Sequence, residues 1–326
     1  MRKAFVEIAK SLMVLIIMVL PLQIRSQTIN DVILTFNAGA ELVNSGSFEG
    51  AIAKFEECIS MATKLGAEGD EMRTNAQNQI PNLHYRIAVD KYKAEDIDGA
   101  IKKFEETIVA CEKYSNNEIK TKAMNYIPQL YYSKGNACVK NEDYNGAITN
   151  FDKAIELVPD YAKAYYGKGL VYKKTGEEEK MVDILNKTIE TAAKSGDTKT
   201  GAAASKALRD LYFAKAAQAV KEENYETAFA MFAKTLEYDS SYPDPYYYMA
   251  VIYNKQLEYD KSLENANKAL ELETDTTKQP KIYFELGNAY IGIVEYEKAC
   301  EAFSRCLVEP FAEKAKYKME NVLNCK

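Results

Sequence analysis

The sequence of 326 residues has no tryptophan and a single histidine, His84. His84 stands where the helical pattern has a core aromatic, so we predict a structural role for it. The sequence therefore lacks the histidines that a His–His metal site or Ser-His-Asp or Cys-His catalysis would need. A glycine-rich phosphate loop is also missing, because Gly167 and Gly169 lie in a predicted helix without a third glycine at the required spacing. We predict no enzymatic activity, no bound metal and no cofactor.

An excess of basic charge is absent as well. The chain carries 42 Lys and Arg residues against 48 Asp and Glu residues, a net charge of −6. The densest local basic group is Lys168, Lys173 and Lys174, which we interpret as part of a solvated helix face. A nucleic-acid interface needs a concentrated basic face, so none is predicted.

Long apolar runs are confined to the N-terminus, where nine strongly apolar residues at 12–20 follow Arg2 and Lys3. Nine residues are too few to span a bilayer but suit the apolar core of a secretory signal. With a small residue at Ser26, we predict a signal peptide over 1–26 and an exported, periplasmic or cell-envelope protein. Two alternatives stay open: an uncleaved signal anchor, the only membrane attachment the sequence suggests, and a buried first helix.

The sequence is rich in one phrase, which occurs seven times. A Gly or Ala stands twelve residues before a second, usually small, residue, and an aromatic usually follows four residues later. The seven copies are Gly39/Ala51/Phe55, Ala88/Ala100/Phe104, Gly135/Ala147/Phe151, Gly169/Met181/Leu185, Ala216/Ala228/Phe232, Ala250/Ser262/Ala266 and Gly287/Ala299/Phe303. Such a period predicts units that bury their apolar faces only by stacking on one another.

Each copy has the pattern of two amphipathic helices joined by a tight turn. In the third copy the turn falls at 141–143 and the second helix ends at Pro159. This copy resembles the tetratricopeptide repeat, a 34-residue helix-turn-helix, at Tyr131, Gly135, Tyr144, Ala147, Phe151, Ala154 and Pro159. The resemblance covers about 32–310. It implies an all-α, right-handed solenoid of about seven repeats.

We place the repeats near 32–65, 81–114, 128–161, 162–195, 209–242, 243–276 and 280–310, with a C-terminal capping helix over 311–326. Three junctions exceed the 34-residue period by 13 to 15 residues. The segments 71–79, 118–126 and 200–207 are rich in helix formers, so we predict that they extend the next first helix. Pro81 and Pro128 then either kink a long helix or start a new one.

Six cysteines in an exported chain raise the question of disulfides. By the resemblance, Cys58 and Cys306 occupy positions where the family has Ala, and Cys138 replaces an inward Tyr. We therefore expect mostly reduced, structural thiols, with Cys325 as a candidate free thiol.

An aromatic residue stands one helical turn before the Gly or Ala of every copy. We call this set the aromatic ladder: Phe36, Tyr85, Tyr132, Tyr166, Phe213, Tyr247 and Phe284. The resemblance implies that this position faces a concave groove in which partner peptides lie, and Tyr and Phe offer large contact area at small rotamer cost. The alternative is that the ladder packs between neighbouring first helices.

These features predict a non-catalytic scaffold that binds a protein or peptide in the groove. Well-known tetratricopeptide-repeat proteins clamp the C-terminal carboxylate of a peptide with a set of Lys, Asn and Arg residues. The nearby candidates here do not form that set: Lys163, Asn136, Asn288 and Lys281. Binding of a C-terminal carboxylate is therefore not expected. The alternative function is a carrier of a small ligand such as an oligosaccharide, with Asn136, Asn254 and Asn288 as polar donors. The sequence does not indicate an oligomeric state.

Overall fold

The computed structural model describes residues 28–325, so the predicted signal peptide lies outside the described residues. This part of the chain contains fifteen α-helices and no strand. Fourteen of the helices form seven successive pairs. The expected all-α fold of stacked tetratricopeptide-like helix pairs is therefore confirmed.

The first helices of the pairs are α1 (Ile29–Asn44), α3 (Asp70–Lys93), α5 (Asn117–Lys140), α7 (Ala162–Thr175), α9 (Thr198–Lys221), α11 (Pro243–Lys255) and α13 (Gln279–Gly292). The second helices are α2 (Phe48–Lys64), α4 (Ile97–Lys113), α6 (Tyr144–Leu157), α8 (Glu178–Ser195), α10 (Tyr225–Tyr238), α12 (Tyr259–Leu272) and α14 (Tyr296–Ser304). A 3₁₀ turn at Gly66–Gly69 precedes α3, and α15 (Ala312–Tyr317) continues into a π-helix at Lys318–Leu323. None of these helices is both long and apolar enough to cross a membrane.

The helices fall into two compact units, the first ending at Lys134 and the second beginning at Gly135, within α5. The largest fully buried side chains of the first unit are Phe55, Phe104, Ile80, Leu83 and Leu130. Those of the second unit are Phe151, Phe232, Phe303, Leu185, Leu208, Ile252 and Ile282. In both units the phenylalanines come from second helices.

The buried phenylalanines pack against the small residues of the repeated phrase. A Cβ atom added at Gly39 would lie 2.9 Å from the Phe55 ring, and one at Gly287 would lie 2.7 Å from the Phe303 ring. The fourth copy, which has Leu185 instead of an aromatic, keeps the contact, because a Cβ atom at Gly169 would meet Leu185 at 2.7 Å. In these pairs the two helices therefore cross closely at a small residue of the first helix.

The turn between the helices has the same two main-chain hydrogen bonds in every pair except the fourth. In the third pair, the Glu142 N–H donates to the Val139 carbonyl at 3.2 Å and the Asp143 N–H donates to the Cys138 carbonyl at 2.9 Å. This is the Schellman arrangement that ends helices. The Asp143 carboxylate then caps α6 by accepting from the Gly146 N–H at 2.9 Å.

One residue of each turn has a positive φ angle. The seven are Gly46, Glu95, Glu142, Gly176, Glu223, Leu257 and Val294, with φ between 57° and 79°. The left-handed conformation is easy for Gly and costly for a β-branched residue. Val294 therefore sits in the least favourable of these positions.

Three first helices are longer than the rest, as the spacing predicts. Helices α3, α5 and α9 each have 24 residues. Pro81 lies inside α3 and Pro128 inside α5. The alternative in which each proline starts a new helix is therefore wrong.

The prediction that Cys325 is a free thiol is also wrong. Cys300 on α14 forms a disulfide with Cys325, and their Cα atoms are 5.7 Å apart. The segment after α14 folds back onto that helix, which brings together two cysteines separated by 25 positions. The other described cysteines form no disulfide, as expected: Cys58, Cys111, Cys138 and Cys306.

The C-terminal segment packs on the end of the second unit. Phe311, Met319 and Leu323 contact a buried cluster that includes Phe303 and Ala315. Val322 stands three positions after Met319, a spacing that would place both on one face of an α-helix, yet it is 46% exposed. The π-helix at Lys318–Leu323 has a wider turn than an α-helix, which rotates Val322 off the packed face.

His84 lies at the core-facing side of α3 with its Nδ1 atom buried and without a hydrogen-bond partner among residues 28–325. Burial lowers the pKa of His84, and the nearby Glu106 carboxylate offsets this effect only in part. The folded chain therefore favours the neutral imidazole.

The lowered pKa of His84 predicts a loss of stability in mild acid. Its contribution is complete above the unfolded-state pKa of about 6.5 and falls as the pH drops through the lower folded-state pKa. The free energy of unfolding, measured in urea between pH 7.5 and 5.5, should fall in the native chain and fall less in His84→Phe. Equal slopes in the two proteins would contradict this account.

The turn geometry predicts opposite effects of two substitutions. A Cβ atom at Gly176 meets no atom within 4 Å, so Gly176→Ala should cost only the left-handed backbone strain, about 1 kcal/mol. Val294→Gly relieves that strain and should stabilise the protein by about 0.5–1 kcal/mol. Urea unfolding followed by circular dichroism measures both. A neutral Gly176→Ala would show that the turns are not strained.

Candidate partner-binding surface

The aromatic ladder lies on the seven first helices, and every member is half-buried. Four members rest on the buried phenylalanine of their own helix pair. The ring centroids are 5.2 Å apart for Phe36 and Phe55, and 5.7 Å apart for Tyr85 and Phe104. In the second unit the same contact joins Phe213 to Phe232 at 6.1 Å and Phe284 to Phe303 at 5.7 Å. The ladder thus combines core packing with a remaining accessible edge.

The ladder is surrounded by further aromatic rings, and the sequence pattern does not predict these rings. Tyr126 stacks on Phe104 at 4.8 Å and contacts Tyr85 at 6.0 Å. Tyr248, on the next first helix, lies 5.7 Å from Phe213. Packing between neighbouring first helices therefore also occurs, as the alternative interpretation expects. These rings lie outside the repeated phrase, and only the helix extension at 118–126 pointed to Tyr126.

Charged groups between the last two first helices are already paired. The Lys281 ammonium lies 2.5 Å from the Asp244 carboxylate and 4.7 Å from the centroid of the Tyr247 ring. Burial is the main cause that raises the pKa of Tyr247, so its hydroxyl stays neutral. Lys281 is therefore engaged within the protein.

A pocket of about 390 Å³ with several polar lining residues opens in the second unit. Its lining includes Asn254 near the end of α11 and Glu285 and Asn288 on α13. Asn254 Nδ2 donates to the Glu285 carboxylate at 2.8 Å and to the Glu285 main-chain carbonyl at 3.0 Å. The Asn254 Oδ1 atom is buried without a partner among the described residues. Glu285 itself is only 9% exposed.

Both asparagines of this pocket are polar donors predicted from the sequence, whereas Glu285 is not among the predicted residues. The available signal was an acidic residue set among Ile282, Phe284 and Leu286, where the helix is otherwise apolar. The third predicted polar donor, Asn136, does not line this pocket. Asn136 is half-buried on α5, and Lys163 is exposed on α7.

Comparison with protein-family models finds two matches. The model described as TPR repeat matches residues 135–176, and the model described as tetratricopeptide repeat matches residues 162–195 and 280–307. A comparison with curated proteins finds no match.

Solved structures that resemble the chain at low similarity include two that are described by TPR. YrrB, described as a TPR protein with an unusual peptide-binding site, is 19% identical with a TM-score of 0.33 and covers 61% of this chain and 97% of its own. MamA is 20% identical with a TM-score of 0.29 over 60% of this chain and 96% of its own. The TPR2AB domain of yeast Sti1, in a complex with pHSP90, is 16% identical with a TM-score of 0.31 over 74% of this chain and 96% of its own.

The TM-scores are too low to support an argument about a shared site. The family-model matches rest on the sequence itself and coincide with the helix pairs α5 to α8 and α13 to α14. The chain therefore contains tetratricopeptide repeats.

Proposed function

We propose that this protein is a non-catalytic scaffold of the cell envelope that holds a segment of a partner protein on its aromatic ladder. Tetratricopeptide repeats, found here at 135–195 and 280–307, are in general protein-interaction modules without catalytic activity. The observation that carries the proposal is the recurrence of one half-buried aromatic on every first helix.

The packing of the ladder suits it to binding. A ring held against a buried phenylalanine, as Phe213 is against Phe232, loses little further freedom when a partner covers its exposed edge. Such preorganisation lowers the entropy cost of association. Aromatic side chains also dominate the energetics of protein interfaces. The accessible ring edges within each unit therefore supply anchor points for a peptide segment.

The proposed location rests on two features of the chain. The predicted signal peptide over 1–26 is one, and it belongs to the part of the chain outside the described residues. The Cys300–Cys325 disulfide is the other. Disulfides persist in oxidising compartments such as the bacterial periplasm, which supports an exported protein.

Replacing ladder tyrosines should weaken partner capture without unfolding the protein. In the triple variant Tyr85→Leu, Tyr166→Leu and Tyr247→Leu, apolar volume is largely kept while the aromatic edges are lost. Used as bait for cross-linking in envelope extract and read by mass spectrometry, the variant should recover the partner at least tenfold less well than the native chain.

The matched control changes three tyrosines that lie outside the ladder and are 42–61% exposed: Tyr92, Tyr296 and Tyr317. Their replacement by Leu should leave capture unchanged. A correctly folded ladder variant that captures the partner as well as the native chain would refute the proposal. Thermal shifts with a glycan panel, together with no captured protein, would favour the small-ligand carrier instead.

A further inference from the structure

Glu285 is a buried carboxylate without a basic partner. It lies on α13 and is 9% exposed, and among the ion pairs of residues 28–325 none includes it. Its hydrogen bonds come from the neutral side-chain amides of Asn254 and Asn288. Buried carboxylates are rarely left without a cation or metal, because the interior solvates a charge poorly. The Glu285 carboxylate can therefore accept further hydrogen bonds.

Three lysines on α13 or in the pocket lining form no ion pair with Glu285. Lys281 pairs with Asp244 at 2.5 Å. Lys255 lines the pocket but directs its ammonium toward Glu223, 3.8 Å away. Lys318, from the C-terminal segment, also lines the pocket, and none of the causes that shift the pKa of Glu285 involves it. Burial is the main cause and raises that pKa.

The pocket is large enough for a side chain from another molecule. Its volume of about 390 Å³ lies within the range of ligand pockets, about 300–1,000 Å³. Besides the polar group it is lined by Val251, Tyr259 and Ile291. An entering side chain would thus meet apolar walls around its methylene groups and a carboxylate at its tip.

Two exposed apolar residues flank the pocket. Leu257 follows the pocket-lining end of α11 and is 69% exposed, and Val294 follows the pocket-lining end of α13 and is 66% exposed. The other five pairs have Gly or Glu at this turn position: Gly46, Glu95, Glu142, Gly176 and Glu223. A β-branched residue in the left-handed region costs stability, and such costs concentrate at functional sites. Leu257 and Val294 are thus exposed apolar residues where the other pairs have Gly or Glu, and Val294 also has a strained backbone.

We propose that this pocket binds a basic side chain of the partner segment, a lysine ammonium or an arginine guanidinium, while apolar residues beside it pack on Leu257 and Val294. The inference rests on the proposed function and adds the chemistry of the partner, a basic residue between apolar ones. The acidic balance of the chain, net −6, favours the approach of such a segment. Lys318 has the same charge as the ligand group and opposes its binding.

Three capped tripeptides serve as probes: acetyl-Leu-Lys-Leu-amide, its Arg analogue and its neutral norleucine analogue. Binding to the whole chain is followed by NMR through the side-chain amides of Asn254 and Asn288. The Lys or the Arg peptide should shift these signals saturably, and the better of the two identifies the cation. The norleucine peptide should bind at least tenfold more weakly, and equal binding would overturn the proposal.

Variants test the sign of the charge. Glu285→Gln, which keeps the size of the side chain, should weaken binding of the basic peptide at least tenfold. The exposed control Glu264→Gln should leave its affinity unchanged. Lys318→Met, on a different segment, should tighten binding about threefold. The opposite pattern, weaker binding in Lys318→Met and none lost in Glu285→Gln, would identify an anion pocket and refute the proposal.

The apolar flank has its own test. Val294→Gly is expected to stabilise the fold. It should lower the affinity for the basic peptide about threefold, because it removes the apolar side chain that the peptide would contact. Unchanged affinity would remove Val294 from the site. Peptide binding with no ladder-dependent capture would refute the proposed function alone. Capture that survives Glu285→Gln, with no binding of the basic peptides, would refute the pocket alone.

Discussion

The contact on which the rest of the structure depends is a phenylalanine ring pressed against glycine. The ring of Phe151 lies between Gly135 of its own helix pair and Gly167 of the next pair. A Cβ atom added at either glycine would lie 2.6 or 2.7 Å from the ring, closer than atoms can approach. One side chain therefore closes a pair and joins it to its neighbour. Phe55, Phe104, Phe232 and Phe303 are as deeply buried, at 0–1% exposure.

The candidate surface follows from this core. Phe36, Tyr85, Phe213 and Phe284 contact these buried phenylalanines, so the positions of these four ladder rings are set by packing that the fold requires in any case. The fourth pair departs from the repeated pattern at Met181 and Leu185, and the last two pairs depart from it in polar or strained residues. The sixth has Ser262, whose hydroxyl donates to the Ala250 carbonyl at 3.0 Å, and the seventh has Glu285 buried and Val294 strained. Natural sequences break their own patterns chiefly where function requires it.

The helices could be predicted because each repeats a local pattern of apolar residues, and the three long helices because extra residues of high helix propensity stood at three junctions. Local patterns do not report long-range pairing. The Cys300–Cys325 disulfide depends on the direction in which the segment after α14 turns, and the burial of Glu285 depends on Asn254, 31 positions earlier. The exposure of Val322 depends on a π-helix, which apolar periodicity alone does not reveal.

A double-mutant cycle between Gly167 and Phe151 tests the central claim most directly. Gly167→Val alone should lower the free energy of unfolding by about 2–3 kcal/mol through overpacking, and Phe151→Ala alone by about 3–5 kcal/mol through a cavity. In the Phe151→Ala background the added Val enters the vacated space, so Gly167→Val should then cost less than about 1 kcal/mol. Additive costs in the double variant would show that the ring and the glycine do not depend on each other, and would contradict the account.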